Sequence, residues 1–98
     1  PMEMVLLGLG GCTAFDVVFI LKKARQPVED CEIQVSAERS EDVPKVFTKI
    51  HLHYVIKGKD LSEKHVARAV KMSAEKYCSV SRMLEETVEM THDYEIVE

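Results

Sequence analysis

From Met4 to Leu21 the chain runs for 18 residues with a single charge, Asp16. A stretch of that length borders on a membrane span, for which about 20 apolar residues are needed. Asp16 argues against insertion, because a carboxylate near the bilayer centre costs roughly 2.5–3.5 kcal/mol. No basic segment precedes the stretch and no second span follows it. A helix buried by protein on most sides is therefore expected, with no membrane contact. The absence of a credible signal sequence points to a cytoplasmic chain. Leu, Met and Ala favour helix over about Met2 to Arg25, and Pro27 fits its end. Gly8, Gly10 and Gly11 oppose that reading, at roughly 1 kcal/mol each relative to Ala. Either another backbone approaches closely there or the helix kinks near Gly10 and Gly11.

The remainder must supply whatever covers this helix. A chain of 98 residues supports one compact domain over residues 1–98. Hydrophobic residues at 46% and charged residues at 31% argue against disorder. A domain this small buries only about two thirds of its unfolded surface, so oligomerisation would help it. Net charge is −4, and the one basic cluster, Lys22, Lys23 and Arg25, is too small for a nucleic-acid face. It suits a helix C-terminus instead. The chain begins at Pro1 with no initiator Met, which reads as a trimmed or partial chain.

Beyond the helix the period changes from 3.6 to 2. Cys31, Ile33, Val35 and Ala37 alternate with Glu32, Gln34, Ser36 and Glu38, which marks a strand with one buried face. A charged turn over Ser40 to Pro44 leads to a second strand. Val46, Thr48, Ile50, Leu52, Tyr54 and Ile56 share its core face, and Lys49, His51, His53 and Lys57 its other face, beside Phe47 and Val55. An antiparallel hairpin ending at Gly58 is expected. A second helix starts near Ser62, with Leu61 and Val66 placed as a hydrophobic staple. Val66, Ala69, Val70, Ser73 and Tyr77 mark its buried face. A short helical segment follows Cys78, with Ser79 as its cap. The last strand sets Val88, Met90, His92, Tyr94 and Ile96 toward the core. The fold class is α+β.

The three cysteines, Cys12, Cys31 and Cys78, are far apart and lack CxxC spacing. They make neither a disulfide framework nor a zinc site, so no metal and no cofactor are expected. Cys78 sits at a helix start, where free N–H groups and the helix dipole lower a thiol pKa, with Lys76 adding positive potential. A small buried hydrophobe at a helix junction is the competing reading, and the residues alone favour it slightly. Cys12 lies within the apolar helix, where burial and the carboxylate of Asp16 one turn on both oppose a thiolate. Cys31 reads as packing. His51 and His53 share a strand face with Lys49 and Lys57, which reads as solvated surface. His65 reads as exposed. His92 reads as a hydrogen-bonded core histidine. Gly8-Leu9-Gly10-Gly11 follows no strand and fails as a dinucleotide loop.

The segment Pro1-Met2-Glu3-Met4-Val5-Leu6-Leu7-Gly8-Leu9-Gly10-Gly11-Cys12 resembles the central helix of the OsmC/Ohr family. There a proline and acidic residues precede an apolar, small-residue run that ends in a cysteine. Glu75-Lys76-Tyr77-Cys78-Ser79-Val80-Ser81 resembles the family's second cysteine, at a helix start after an amphipathic helix. Two strands and a helix lie between, and a strand follows, so the resemblance covers nearly the whole chain. It implies an OsmC-like fold: a long central helix with antiparallel strands wrapped around it, in an intertwined homodimer. It also implies family strands before the central helix, which this chain lacks.

By the same resemblance, Cys12 is the peroxidatic thiol, which opens an organic hydroperoxide and becomes a sulfenic acid. Cys78 is the resolving thiol, which condenses with it to a disulfide that an external dithiol reduces. The family's Glu after the proline falls at Met2, and Glu3, one place along, is a further candidate. The family's activating Arg belongs to the region before the central helix, and Ser79 stands where a proline is common. These departures, with Asp16, keep two other readings open. One is a non-enzymatic dimeric module that binds a small apolar or thiol-containing ligand. The other is a structural remnant without chemistry.

Overall fold

A computed structural model describes all 98 residues, Pro1–Glu98. Helix α1 runs unbroken over Met2–Lys23, so the glycines introduce no kink. Strand β1 (Val28–Arg39) pairs antiparallel with β2 (Phe47–Gly58), as the alternation predicts. Helix α2 (Glu63–Met72) passes into a π-helical turn over Ser73–Tyr77. A short helix α3 (Ser79–Leu84) and strand β3 (Glu89–Val97) complete the chain. The sheet order is β1-β2-β3, and α1 lies along β1.

Strand β3 departs from the antiparallel expectation, for it runs parallel to β2. The cause is the connection. The helical segments between Gly58 and Glu89 carry the chain back to the start of β2, and a crossover of that kind produces a parallel pair. A second correction concerns β2. Phe47 is buried and Val46 is exposed, the reverse of the simple alternation. The register slips between Glu38 and Arg39, which moves Phe47 to the core side opposite Arg39. From Ile50 to Ile56 the expected alternation holds.

The core joins α1, β2, α2 and the residue after the π-helical turn. Leu9, Val17 and Leu21 of α1 meet Ile50, Leu52, Tyr54 and Ile56 of β2, with Val66, Ala69 and Val70 of α2 and Cys78. Polar side chains in this layer are tied to main-chain carbonyls. Thr13 donates to the Leu9 and Gly10 oxygens, both at 3.0 Å, and Ser73 donates to the Thr13 oxygen at 3.2 Å. Ser81 donates to the Ala74 oxygen at 3.0 Å, which fixes α3 against the π-helical turn.

Within one chain the apolar helix is not buried on most sides. Leu9, Thr13, Val17 and Leu21 form its one buried stripe, while Met4, Leu7, Phe15 and Phe19 are exposed. A hairpin and one helix are too few elements to wrap a 22-residue helix. By length and composition α1 also meets the requirements of a membrane-crossing helix, as core helices of soluble proteins do. His92 is likewise exposed. It keeps the core register of β3 but lies on an edge strand, where its ring meets Tyr54 edge-on at 6.4 Å.

Candidate active site

Cys12 sits midway along α1, half-buried beside the core stripe. Asp16 follows it by four residues and therefore shares its face. Cys78 reaches the same place from the other side of the core. Its main-chain N–H donates to the Ser73 oxygen at 3.0 Å and closes the π-helical turn. Cys78 then turns to extended geometry, with φ −73° and ψ 109°. The outcome is that Cys12 Sγ, Cys78 Sγ and a carboxylate oxygen of Asp16 all lie within 4.8 Å of one another. Two thiols separated by 66 positions in the chain thus share one site, while Cys31 stays on β1, half-buried against the core.

The electrostatics separate the two thiols. Cys78 is fully buried, and burial pushes its pKa up to about 12. The side-chain hydrogen bond with Cys12 acts in the same direction as burial, and the main-chain N–H groups of Ser81 and Val80 act against both by favouring the thiolate. This corrects the expectation of an activated helix-start thiol. Cys78 rather than Ser79 is the cap, since its sulfur accepts from the Ser81 N–H at 3.4 Å. A six-residue helix presents too small a dipole to offset the loss of water. Lys76 does not assist, because its ammonium lies over the Tyr77 ring, 5.6 Å from the centroid. The Cys31 thiol is held at about 11 by burial and then by Asp30, in keeping with a packing role. Burial also raises the Asp16 carboxyl, and its Oδ2 is enclosed without a hydrogen-bond partner.

Glu3 is not brought to the thiols of its own chain. It is exposed in the first turn of α1, and nine residues at about 1.5 Å each place it roughly 13 Å along the axis from Cys12. Three features went unread in the sequence. Asp16 lines a cleft of about 550 Å³ formed with Phe15, Phe19, Met72, Tyr77 and Arg68. Phe15 and Phe19 stack on its α1 side, with ring centroids 6.3 Å apart. Their spacing of four in the helix was the available signal. Tyr54, fully buried, keeps a hydroxyl with no hydrogen-bond partner. Burial holds its pKa at about 12.

The third feature lies on the far face of the sheet. The parallel register sets β3 carboxylates beside the histidines, partners that sequence spacing alone had not placed. His51 bonds Thr91 at 2.6 Å and Asp93 at 3.0 Å, and His53 bonds Asp93 at 2.6 Å and Glu95 at 3.1 Å. The side-chain bonds to Asp93 and Glu95 raise the His53 pKa, and His53 in turn lowers that of Asp93. This face is separate from the thiol pair.

Residues 1–93 match the family model described as OsmC-like protein. Protein YhfA of Escherichia coli (strain K12) is 58% identical over 97 residues, which cover 99% of this chain and 72% of that relative. A crystal structure of a hypothetical protein from Aquifex aeolicus VF5 is 40% identical, with a TM-score of 0.88 over 100% of this chain and 75% of that one. An organic hydroperoxide resistance protein OsmC from Legionella pneumophila shares the fold, with a TM-score of 0.77 at 17% identity over 96% of this chain and 67% of that one. On the family model and on the level of identity to YhfA, the chain belongs to the OsmC-like protein family.

Proposed function

We propose that the protein is a thiol peroxidase that reduces organic hydroperoxides, with Cys12 as the attacking thiol and Cys78 as the resolving thiol. The observation that carries this reading is the meeting of the two sulfurs within 4.8 Å, one half-buried and the other fully buried. The Cys12 thiolate attacks the O–O bond of ROOH. The leaving alkoxide takes a proton and departs as ROH, which leaves Cys12 as a sulfenic acid. The Cys78 sulfur then attacks the sulfenic sulfur. The Cys78 proton and the displaced hydroxide leave as water, and a Cys12–Cys78 disulfide remains. An external dithiol returns both cysteines to thiols. A Cys78 thiol held protonated does not compete with Cys12 for peroxide, and in the second step it attacks as its proton passes to the departing hydroxide. The cleft beside Asp16 carries Phe15, Phe19, Ile20 and Met72 among the charged Lys23 and Arg68, and its apolar part suits an organic substituent.

In this reading the chain acts as one OsmC-like domain in a cytoplasmic homodimer, with the exposed face of α1 at the dimer seam. Glu3 has no catalytic contact within its own chain. A second reading, a dimeric module that binds a small apolar or thiol-containing ligand without turnover, draws on the same cleft and on the elevated Cys78 pKa. Stoichiometric organic hydroperoxide added to the reduced full-length protein separates the two. Mass spectrometry is expected to find a Cys12–Cys78 disulfide, and turnover with a dithiol is expected to vanish in Cys12→Ser. Unchanged thiols after peroxide, or equal rates with and without Cys12, exclude the peroxidase and leave the binding module.

A further inference from the structure

The peroxidase reading uses two of the three groups that converge beside α1. The third, Asp16, has no part in it and is oddly placed. Asp16 lies next to two thiols, and its Oδ2 is enclosed without a hydrogen-bond partner. Tyr54 of the adjoining core is likewise fully buried with an unpartnered hydroxyl. Enclosed polar atoms cost free energy unless something satisfies them. A single cation among Cys12, Cys78 and Asp16 would satisfy the carboxylate.

We propose that reduced Cys12, Cys78 and Asp16 form a binding site for one zinc ion per chain. The ligand chemistry selects the metal. Two sulfurs and one carboxylate suit a borderline-soft ion and exclude calcium and magnesium, which take oxygen ligands. The dimensions agree. Zinc bonds of about 2.3 Å to sulfur and 2.0–2.2 Å to oxygen set tetrahedral edges of roughly 3.5–3.8 Å. The three ligand atoms lie within 4.8 Å of one another, so closure needs a contraction of about 1.3 Å at most, within the reach of side-chain rotation. Three protein ligands leave the fourth position open. Asp16 borders the cleft, which supplies the path for the ion and for a water in that position.

The site is made of reduced side chains and does not require the thiols to turn over peroxide, so it stands apart from the proposed activity. It does couple to it. Zinc and hydroperoxide compete for the same sulfurs, and a Cys12–Cys78 disulfide removes two of the three ligands.

The test uses the reduced, metal-free, full-length protein titrated with zinc against a chromophoric chelator, and with cobalt as a spectroscopic stand-in. One zinc per chain is expected, together with a thiolate-to-cobalt charge-transfer band in the wild type. Asp16→Asn, nearly isosteric, is expected to weaken zinc at least ten-fold. Cys12→Ser and Cys78→Ser are each expected to abolish the cobalt band, and Cys31→Ser to preserve it. Metal taken up by the exposed His51 and His53 surface gives no thiolate band. Uptake without that band in the wild type therefore overturns the site, without reliance on the folding of any variant. Unchanged affinity in Asp16→Asn, or loss of the band in Cys31→Ser, overturns it as well. Peroxide treatment in the presence of chelator reads the disulfide separately, so zinc binding and peroxidase chemistry stand or fall independently.

Discussion

Asp16 is the residue whose role changes most between sequence and structure. In the sequence it argues against a membrane and against a Cys12 thiolate. In the fold it is a half-buried acid with one enclosed, unpartnered oxygen, and burial raises its pKa above the usual 3.8. The sign of its linkage follows. A carboxyl whose folded pKa exceeds its unfolded value favours the native state while protonated, and that benefit is lost as pH rises through the folded pKa. At neutral pH the ionised group is a cost that Asn does not carry. Asp16→Asn is expected to raise the melting temperature near pH 7 with chelator present, and the gain is expected to shrink toward pH 4. A lower melting temperature at both pH values would show that the carboxylate has a partner in the assembled protein. The thiols tell the opposite story of legibility. That Cys12 and Cys78 meet was visible only through the family pattern around each of them. Which of the two is held protonated was not visible, because desolvation by the surrounding core depends on contacts far apart in sequence.

Local period predicted most of the elements. The helix over Met2–Lys23, the hairpin, the helix after Ser62 and the last strand all stand where alternation and capping residues placed them. The features missed are those set between elements. The register slip at Glu38 and Arg39 brings Phe47 inward, and the π-helical turn fixes where Cys78 points. The parallel pairing of β2 and β3 likewise creates the His51, His53, Asp93 and Glu95 ladder. That ladder has a pH window. The raised His53 pKa gives stability that is full below 6.5 and is lost as pH rises through the folded value. The lowered Asp93 pKa gives stability that is full above 3.8 and is lost as pH falls through its own folded value. Pairing is therefore complete between 3.8 and 6.5. His53→Gln is expected to lower the urea midpoint slightly near pH 5.5 and to leave it unchanged near pH 9, since solvent screens exposed pairs. An equal loss at both pH values would assign the effect to packing rather than to charge.

The whole molecule leaves one surface unexplained by a single chain. Opposite the buried stripe of α1, Met4, Leu7, Phe15 and Phe19 are exposed, and Gly8 and Gly11 lie among them with nothing within 4 Å of a Cβ built on either. Gly10 differs, for its own chain approaches it through Val35 at 3.6 Å. Glycine in a helix costs about 1 kcal/mol relative to Ala, so two outward-facing glycines are a cost without return in the monomer. Close approach of a second α1 supplies the return, because backbones pack nearer where side chains are absent. The proposed homodimer thus makes a specific claim about Gly11. Within one chain Gly11→Leu meets open space and improves helix propensity, so the fold is expected to persist, with an unchanged far-UV spectrum. At a helix–helix seam the same side chain forces the two axes apart. Sedimentation velocity is expected to show a dimer for the wild type and a shift toward monomer for Gly11→Leu. Cys12, one residue along the same helix, is then expected to react faster with a thiol-directed reagent as the seam opens. A dimer as tight as the wild type would move the interface off this face of α1. The exposed Met4, Leu7 and Phe15 would then need another partner, and the glycines another cause.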